Sequence, residues 1–465
     1  MPSDNPDCTE ESAQYFPESA AAHEVRHGPE ERPEVIELCL PGVRVRVIVE
    51  DMQLRYLCAR FLYFLRPQRG PSAASFTADQ ASDCVEATIH VVCLPSQGKS
   101  EDFFCFLGKH AGKNPSGGDG QTSAPFPRSI ALPMILWQVN RLAGQSQTHL
   151  VLHAACLVRN GRAVLLVGQS GAGKSTLTAA AIAAGFRYAS DEHAPVSLLD
   201  GKVAPYCRPL GVRFGGRQAL VAFAPHLEFL TEENAAGVGE SCVQPPGAMP
   251  GHLPGMERRE DAWCVGDTDG DMLVMPAVFG GEVMSQAVFP AAVVFLVSRT
   301  GEPTRLSSFS RAQAVCLLSQ HAWNFSSCGE AGFRALVSLV SRCAVRTLRV
   351  GSLHAAVALL RGLTCAQEQV PVRFSVQEQR TMAFLGDETV VSDVSQRKLY
   401  LLNETAGKVW GLWKSGFSVE DLVESMSGHY QVSSDVLRAD LIATLERLES
   451  LGLLSPGFVS RGVSH

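Results

Sequence analysis

Residues 168–176 read Gly168, Gln169, Ser170, Gly171, Ala172, Gly173, Lys174, Ser175 and Thr176, an order that suits a phosphate. Three glycines let the backbone curl so that successive N–H groups face inward, and the helix start that follows adds about half a positive charge. In such a loop Lys174 reaches the β- and γ-phosphates of a nucleoside triphosphate, and the Ser175 hydroxyl ligates Mg²⁺. The flanks fit as well. Ala163-Val164-Leu165-Leu166-Val167 has the length and composition of a buried strand, and residues 176–184 read as a helix closed by Gly185. A bare Gly-rich turn is the competing reading. The strand and helix together weigh against it, and ATP with Mg²⁺ is the expected ligand.

Two further features narrow the chemistry. Asp191-Glu192 follows Tyr188-Ala189-Ser190 at the end of the next expected strand, 17 residues past Lys174. A carboxylate leaving a sheet edge beside a phosphate loop can act as general base for an incoming hydroxyl, and its neighbour can hold Mg²⁺. The plainer alternative is an acidic turn. His153 ends an apolar run 15 residues before Gly168. If its strand neighbours the loop strand, His153 lies by the γ-phosphate and orients the base or stabilises the transferred charge; otherwise it is a core or edge histidine. Arg208 and Arg213 are candidates to neutralise phosphoryl charge, or else solvated surface arginines. Asp267-Thr-Asp269-Gly-Asp271 lacks the sixth-position glycine and twelfth-position glutamate of a calcium loop and reads as a turn.

These residues need a scaffold, and 465 residues allow about three domains. Residues 1–33 are rich in Glu, Ser, Pro and Ala and read as a disordered tail. Residues 34–108 form a small α/β unit, with an alternating strand at Val43–Val49, a helix over 54–65 and a strand over 87–93. Residues 109–128 read as a linker or loop. Residues 129–365 form a P-loop α/β unit with a mixed sheet. In it a helix covers 132–142, Asp200-Gly201 turns a hairpin, 235–258 form a mobile loop and 291–297 a central strand. Helices at 312–320, 331–342 and 353–360 and a strand at 345–350 complete that unit. Residues 372–460 differ: strands at 389–393 and Lys398–Leu402 precede three helices, the second opened by a Ser418…Asp421 capping box and the third striped by Leu437, Leu441, Leu445 and Leu448.

Composition bounds the partners. A net charge of −7 without a basic run argues against nucleic acid, and the longest apolar runs are too short to span a bilayer. The 14 cysteines are scattered with no C-x-x-C pair, as small buried hydrophobes in a reducing cytoplasm would be. An acidic, polar start is no signal peptide, so a cytoplasmic location is expected.

His153, the loop 168–175 and Asp191-Glu192 together resemble the HPr kinase/phosphorylase family and its looser kinase relatives, over roughly residues 130–360. The resemblance implies a compact phosphate-loop fold akin to phosphoenolpyruvate carboxykinase. It gives His153 and Asp191 a part in phosphoryl transfer to a serine hydroxyl, and gives Lys174 and Ser175 the phosphates and Mg²⁺. This chain has Glu192 where the family usually has Asp. It also lacks the Gly-Arg-Asn-type signature of the bacterial carbon-control enzymes, so the looser relatives fit better. The run Lys398-Leu-Tyr-Leu-Leu-Asn-Glu-Thr-Ala-Gly-Lys-Val-Trp410 resembles the PqqD-like peptide chaperones, also called RiPP recognition elements. That resemblance implies a winged-helix-like unit that adds the leader of a ribosomally made precursor peptide as a strand beside a helix. Tyr400, Leu402, Leu437 and Leu441 would be contacts.

The two resemblances together imply an ATP-dependent serine (hydroxyl) kinase acting on a precursor peptide recruited by its tail. The partners would be that leader peptide and, secondarily, a peptide-modifying enzyme; a homo-oligomer stays open. An ATP-driven switch or slow ATPase serving as a peptide scaffold is the first rival. A small-molecule kinase with a regulatory tail is the second.

Overall fold

A computed structural model of the chain describes residues 35–62, 65, 84–94, 102–108, 121–122, 126–127, 131–225, 262–263, 272–297, 302–366, 368–377, 380–393, 396–428 and 432–454. The expected tail 1–33, the expected loop 235–258 and the acidic turn 267–271 lie outside the described residues. The architecture is mixed α/β, built on several sheets.

The first sheet orders its strands β1 (Val35–Leu40), β2 (Val43–Val49), β3 (Val85–Leu94), β4 (Asp102–Gly108) and β5 (Gln121–Thr122), with β6 (Phe126–Pro127) also on β4. Alternation in β1 and β2 sends Ile36, Leu38, Val45 and Val47 inward. Helix α1 (Met52–Phe61) makes the crossover that the parallel β2–β3 pair requires. Two expectations are corrected here. The span 109–128 is not all linker, because β5 and β6 extend the sheet. Helix α2 (Ala131–Ala143), assigned to the following unit, buries Ile135 and Val139 in one cluster with Ile36, Val45 and Ile89. Its apolar face completes a core that a sheet and one short helix leave open on that side.

The central sheet runs β10 (His193–Ser197), β7 (His149–Arg159), β8 (Arg162–Val167), β14 (Pro290–Val297), β16 (Ala344–Arg349) and β15 (Arg305–Ser308), and β9 (Arg187–Ser190) also pairs with β7. Strands β8, β14 and β16 are parallel, while β7 and β15 are antiparallel to their neighbours. Period-two alternation splits their side chains between two cores. Leu157, Val164, Leu166 and Val294 meet α3 (Lys174–Ala183) and α7 (Leu353–Leu363), joined by α4 (Phe214–Phe223). Val158, Leu165, Val167 and Val293 meet α5 (Arg311–Gln320) and α6 (Phe325–Arg342). The Asp200-Gly201 turn forms as read, with Gly201 at φ 76° and Ser197 N–H donating to Lys202 O at 2.8 Å. A small sheet of β11 (Leu210–Val212), β13 (Met272–Val274) and β12 (Ala262–Trp263) lies beside α3.

The last sheet is an antiparallel meander of β17 (Val372–Gln377), β18 (Arg380–Leu385), β19 (Glu388–Asp393) and β20 (Lys398–Leu402), two strands more than the sequence pattern revealed. Helices α8 (Glu404–Lys414), α9 (Val419–Ser427) and α10 (Ser434–Ser450) follow, and Ser418 and Asp421 close the capping box opening α9. The sheet is apolar on both faces. Met382 and Val391 join the core beneath α8–α10, whereas Ala383, Leu385 and Val390 pack on α5 and α6. Leu437 and Leu441 point into the former core, and Leu402 is buried there too. Leu437 and Leu441 hold the helices together, which corrects their expected role as peptide contacts, whereas Leu402 also lines a groove beside α10. Among the described residues no helix is long and apolar enough to cross a membrane.

Candidate functional site

The loop 168–173 leaves the carboxyl end of β8 and enters α3 through Gly173. Gly171 and Gly173 sit at φ 83° and 89°, a left-handed conformation that turns their amides inward. No side chain caps α3 and its first turn carries no acid, so the amides at its start stay available to an anion. A Cβ at Gly173 would meet nothing within 4 Å, and one at Gly171 would meet only the Arg213 guanidinium at 3.8 Å. Arg213 Nη2 donates to Ser170 Oγ at 3.2 Å, so this exposed arginine overhangs the loop. Lys174 folds back on its own turn and donates to the carbonyls of Gly168 and Gln169. Burial, opposed by the charge of Asp191, pulls the lysine's pKa down. The cup therefore fits a phosphate: open, cationic and lined by amides.

The acidic pair lies on the loop's side of the sheet. β9 and β10 both run along β7, and the chain kinks between them at Asp191-Glu192. The Ser190 hydroxyl holds this kink by accepting from the N–H groups of Glu192 at 3.2 Å and His193 at 3.0 Å. Asp191, almost fully buried, accepts from Ser175 Oγ at 3.5 Å and from Gly211 N–H at 3.4 Å. The Tyr188 hydroxyl stands 3.1 Å from its other oxygen. Arg208 corrects the surface reading. It is buried, its Nε lies 3.4 Å from Asp191 Oδ1, and its Nη2 pairs with Glu192 Oε2. Glu192 also accepts from Asn140 Nδ2 at 3.5 Å, and Asn140 is held by the Tyr206 hydroxyl at 2.8 Å. Arg208 thus balances the carboxylates and leaves Arg213 nearest the cup.

His153 lies in β7 directly opposite His193 of β10. Where β8 ends and the loop curls away, residues 321–324 take its place along β7: His153 N–H donates to His321 O at 2.6 Å and Trp323 N–H to Val151 O at 2.9 Å. This sets His321 within reach of the Lys174 charge and Trp323 against the rings of His153 and His193. The rings of His153 and His321 stack with centroids 6.3 Å apart, and Trp323 covers His193 at 5.5 Å. Burial lowers the His153 pKa from 6.5 to about 4, and the charges of Lys174, His321 and Arg208 add to the shift. His193 falls to about 3 by burial and by His153, and neither of its ring nitrogens has a hydrogen-bond partner among the described residues. Both rings are neutral at pH 7, able to donate from one nitrogen and accept at the other.

Lys174, Ser175, Asp191, Glu192, His153, Arg208 and Arg213 are therefore gathered around one end of the sheet. Sequence reasoning missed His193, His321, Trp323, Asn140 and Tyr188. His193 follows the acidic pair and had a local signal; residues 321–323 had none, because their place depends on where β8 stops. Among the described residues no cluster of histidine, cysteine and carboxylate side chains has metal-binding geometry.

A second concavity of about 960 Å³ lies between β20 and α10, and Ser310 and Gln313 of α5 form one wall. Strand β20 is the edge of its sheet. Leu401, Asp440, Thr444 and Arg447 face this groove, and the buried Leu402 contributes to its floor. Tyr400 is half-buried, with its hydroxyl 3.0 Å from Gln396 Oε1.

Residues 388–454 match the family model of coenzyme PQQ synthesis protein D (PqqD), so the C-terminal unit is PqqD-like. No curated protein matches the chain. One solved structure, TbiB1 in complex with the TbiA(beta) leader peptide, is similar at 22% identity over 18% of this chain and 95% of that one, with a TM-score of 0.17.

Proposed function

We propose that the protein is an ATP-dependent kinase that phosphorylates a hydroxyl, serine foremost, on a ribosomally made precursor peptide held by its PqqD-like unit. The observation that carries this reading is the meeting of Asp191 and Ser175 at 3.5 Å, with Lys174 beside Ser175 in the field of Asp191 and Arg213 bonded to Ser170 of the loop. A carboxylate beside a phosphate cup serves a proton-bearing nucleophile, whereas simple nucleotide storage has no use for it.

The loop amides and Lys174 would hold the β- and γ-phosphates, with Arg213 closing over them. Ser175 and a carboxylate of Asp191-Glu192 would hold Mg²⁺, which neutralises developing charge on the phosphoryl oxygens. As the acceptor oxygen bonds to the γ-phosphorus, the bond to the ADP bridging oxygen breaks and the hydroxyl proton passes to Asp191. Neutral His153 would hydrogen-bond to the acceptor oxygen and hold it in line. The edge of β20 and the groove beside α10 would raise the local peptide concentration, as modules resembling PqqD do for leader segments.

Labelled ATP and a serine-bearing peptide that the protein binds test the reading with the full chain. Asp191→Asn should lower turnover by about 10²–10⁴-fold while leaving nucleotide binding within a few fold. Equal phosphopeptide yield from wild type and variant would discard it. One observation favours a second reading, an ATP-responsive scaffold that delivers peptide to a separate modifying enzyme: Arg208 already neutralises both carboxylates. Steady phosphate release with no phosphopeptide would select that reading.

A further inference from the structure

Helix α5 touches both sites. At its start, Ser310 caps the helix, Ala312 N–H donates to Glu388 Oε2 of β19 at 3.1 Å, and Ser310 and Gln313 wall the groove. At its end, the chain passes into His321 and Trp323 beside His153. Between these points Ala312, Ala314, Val315 and Leu318 are buried, whereas Gln313, Leu317 and Gln320 follow one another at i, i+4 and i+7, Gln313 and Gln320 exposed and Leu317 half-buried with one side against the core. Trp323, 51% exposed, follows His321, with its ring against those of His153 and His193. The groove is also charged in a way that suits a peptide. Asp440 and Arg447 face it from α10, two turns apart, and form no ion pair among the described residues. An extended chain carrying one basic and one acidic side chain would satisfy both.

We infer that α5 is a ruler: a precursor peptide seated between β20 and α10 runs along Gln313, Leu317 and Gln320 to Trp323, and its acceptor hydroxyl lies at a set distance from the seated segment. The inference rests on the kinase reading for the acceptor and on the groove for the seat. The ten residues of α5 span about 15 Å at 1.5 Å per residue. An extended peptide advances about 3.3 Å per residue, so about five residues separate the seated segment from the hydroxyl. The substrate class is thus a peptide whose recognised segment and acceptor are distinct, with an uncharged connecting stretch suited to an amide-lined track.

The probe is a display library of random 25-residue peptides, each with a single serine, offered to the full-length protein. One aliquot is panned for binding alone. A second is incubated with ATPγS and Mg²⁺, and thiophosphorylated members are recovered and sequenced. A recovered motif bearing both charge signs, centred about five residues or more from the serine, is the expected result. Gln313→Asp and Gln320→Asp, both on the exposed face, should each lower recovery at least tenfold in both arms for binders that span the track. A motif confined to the residues flanking the serine, or recovery unchanged in both variants, would overturn the ruler. If no peptide is thiophosphorylated but panned binders are lost in the two variants, the track stands and the kinase reading falls.

Discussion

At the scale of single residues, the decisive arrangement is a buried arginine placed against two carboxylates beside a cationic cup. Removing one partner of a buried ion pair leaves uncompensated charge, at a cost of about 3–5 kcal/mol. Arg208→Met should therefore destabilise the fold by about 3 kcal/mol, whereas Arg213→Met, at an exposed position, should leave the denaturant midpoint nearly unchanged and weaken ATP binding. Chemical denaturation and nucleotide titration of the two variants check this. The histidines set a pH window. Burial holds His149 and His153 at about 4 and His193 at about 3 in the fold, against 6.5 in the open chain. Between these values the unfolded chain binds more protons, so stability is full above about 6.5 and falls as pH drops toward 4. Denaturation midpoints from pH 7 to 4 should follow that slope, and His193→Phe should flatten it. A steeper slope in the variant would contradict the assignment.

At the scale of elements, the strand–loop–helix around Gly168–Ser175 was legible because composition, glycine spacing and the helix stop all agree locally. Gly173 tests that unit. Its φ of 89° costs an alanine about 1–2 kcal/mol, so Gly173→Ala should lower the melting temperature modestly and abolish ATP binding in calorimetry. The third helix of the C-terminal unit was equally plain, since Leu437, Leu441, Leu445 and Leu448 share one face. What stayed hidden depends on distant chain. Helix α2 is amphipathic in sequence, but nothing local says which sheet it covers. Strands β17 and β18 were passed over although Val372, Phe374 and Val376 alternate with polar residues in the first; Phe374 and Val376 lie exposed in the fold. The leucine stripe was visible, but Leu437 and Leu441, expected as peptide contacts, face the unit's own core.

At the scale of the whole molecule, the C-terminal unit is joined to the central one by more than a tether. Ala383, Leu385 and Val390 share a core with α5 and α6, and Glu388 braces the start of α5. Truncation at residue 367 would strip apolar cover from both helices. The shortened chain should bind a hydrophobic dye and aggregate on mild heating, as light scattering would record. A truncated chain as soluble and as thermally stable as the parent would refute shared packing.

One consequence follows from the meander that is apolar on both faces. Neighbouring positions along β18, Met382 and Ala383, answer to different bodies of the protein, so this ribbon behaves as a hinge leaf screwed to both door and frame. Amide exchange should show β18 and β19 protected as strongly as the central strands, while α9 and α10 exchange sooner. Whatever grips the rim of β20 then pulls on a plate already fixed to the body that carries the glycine-lined loop, with no slack to take up.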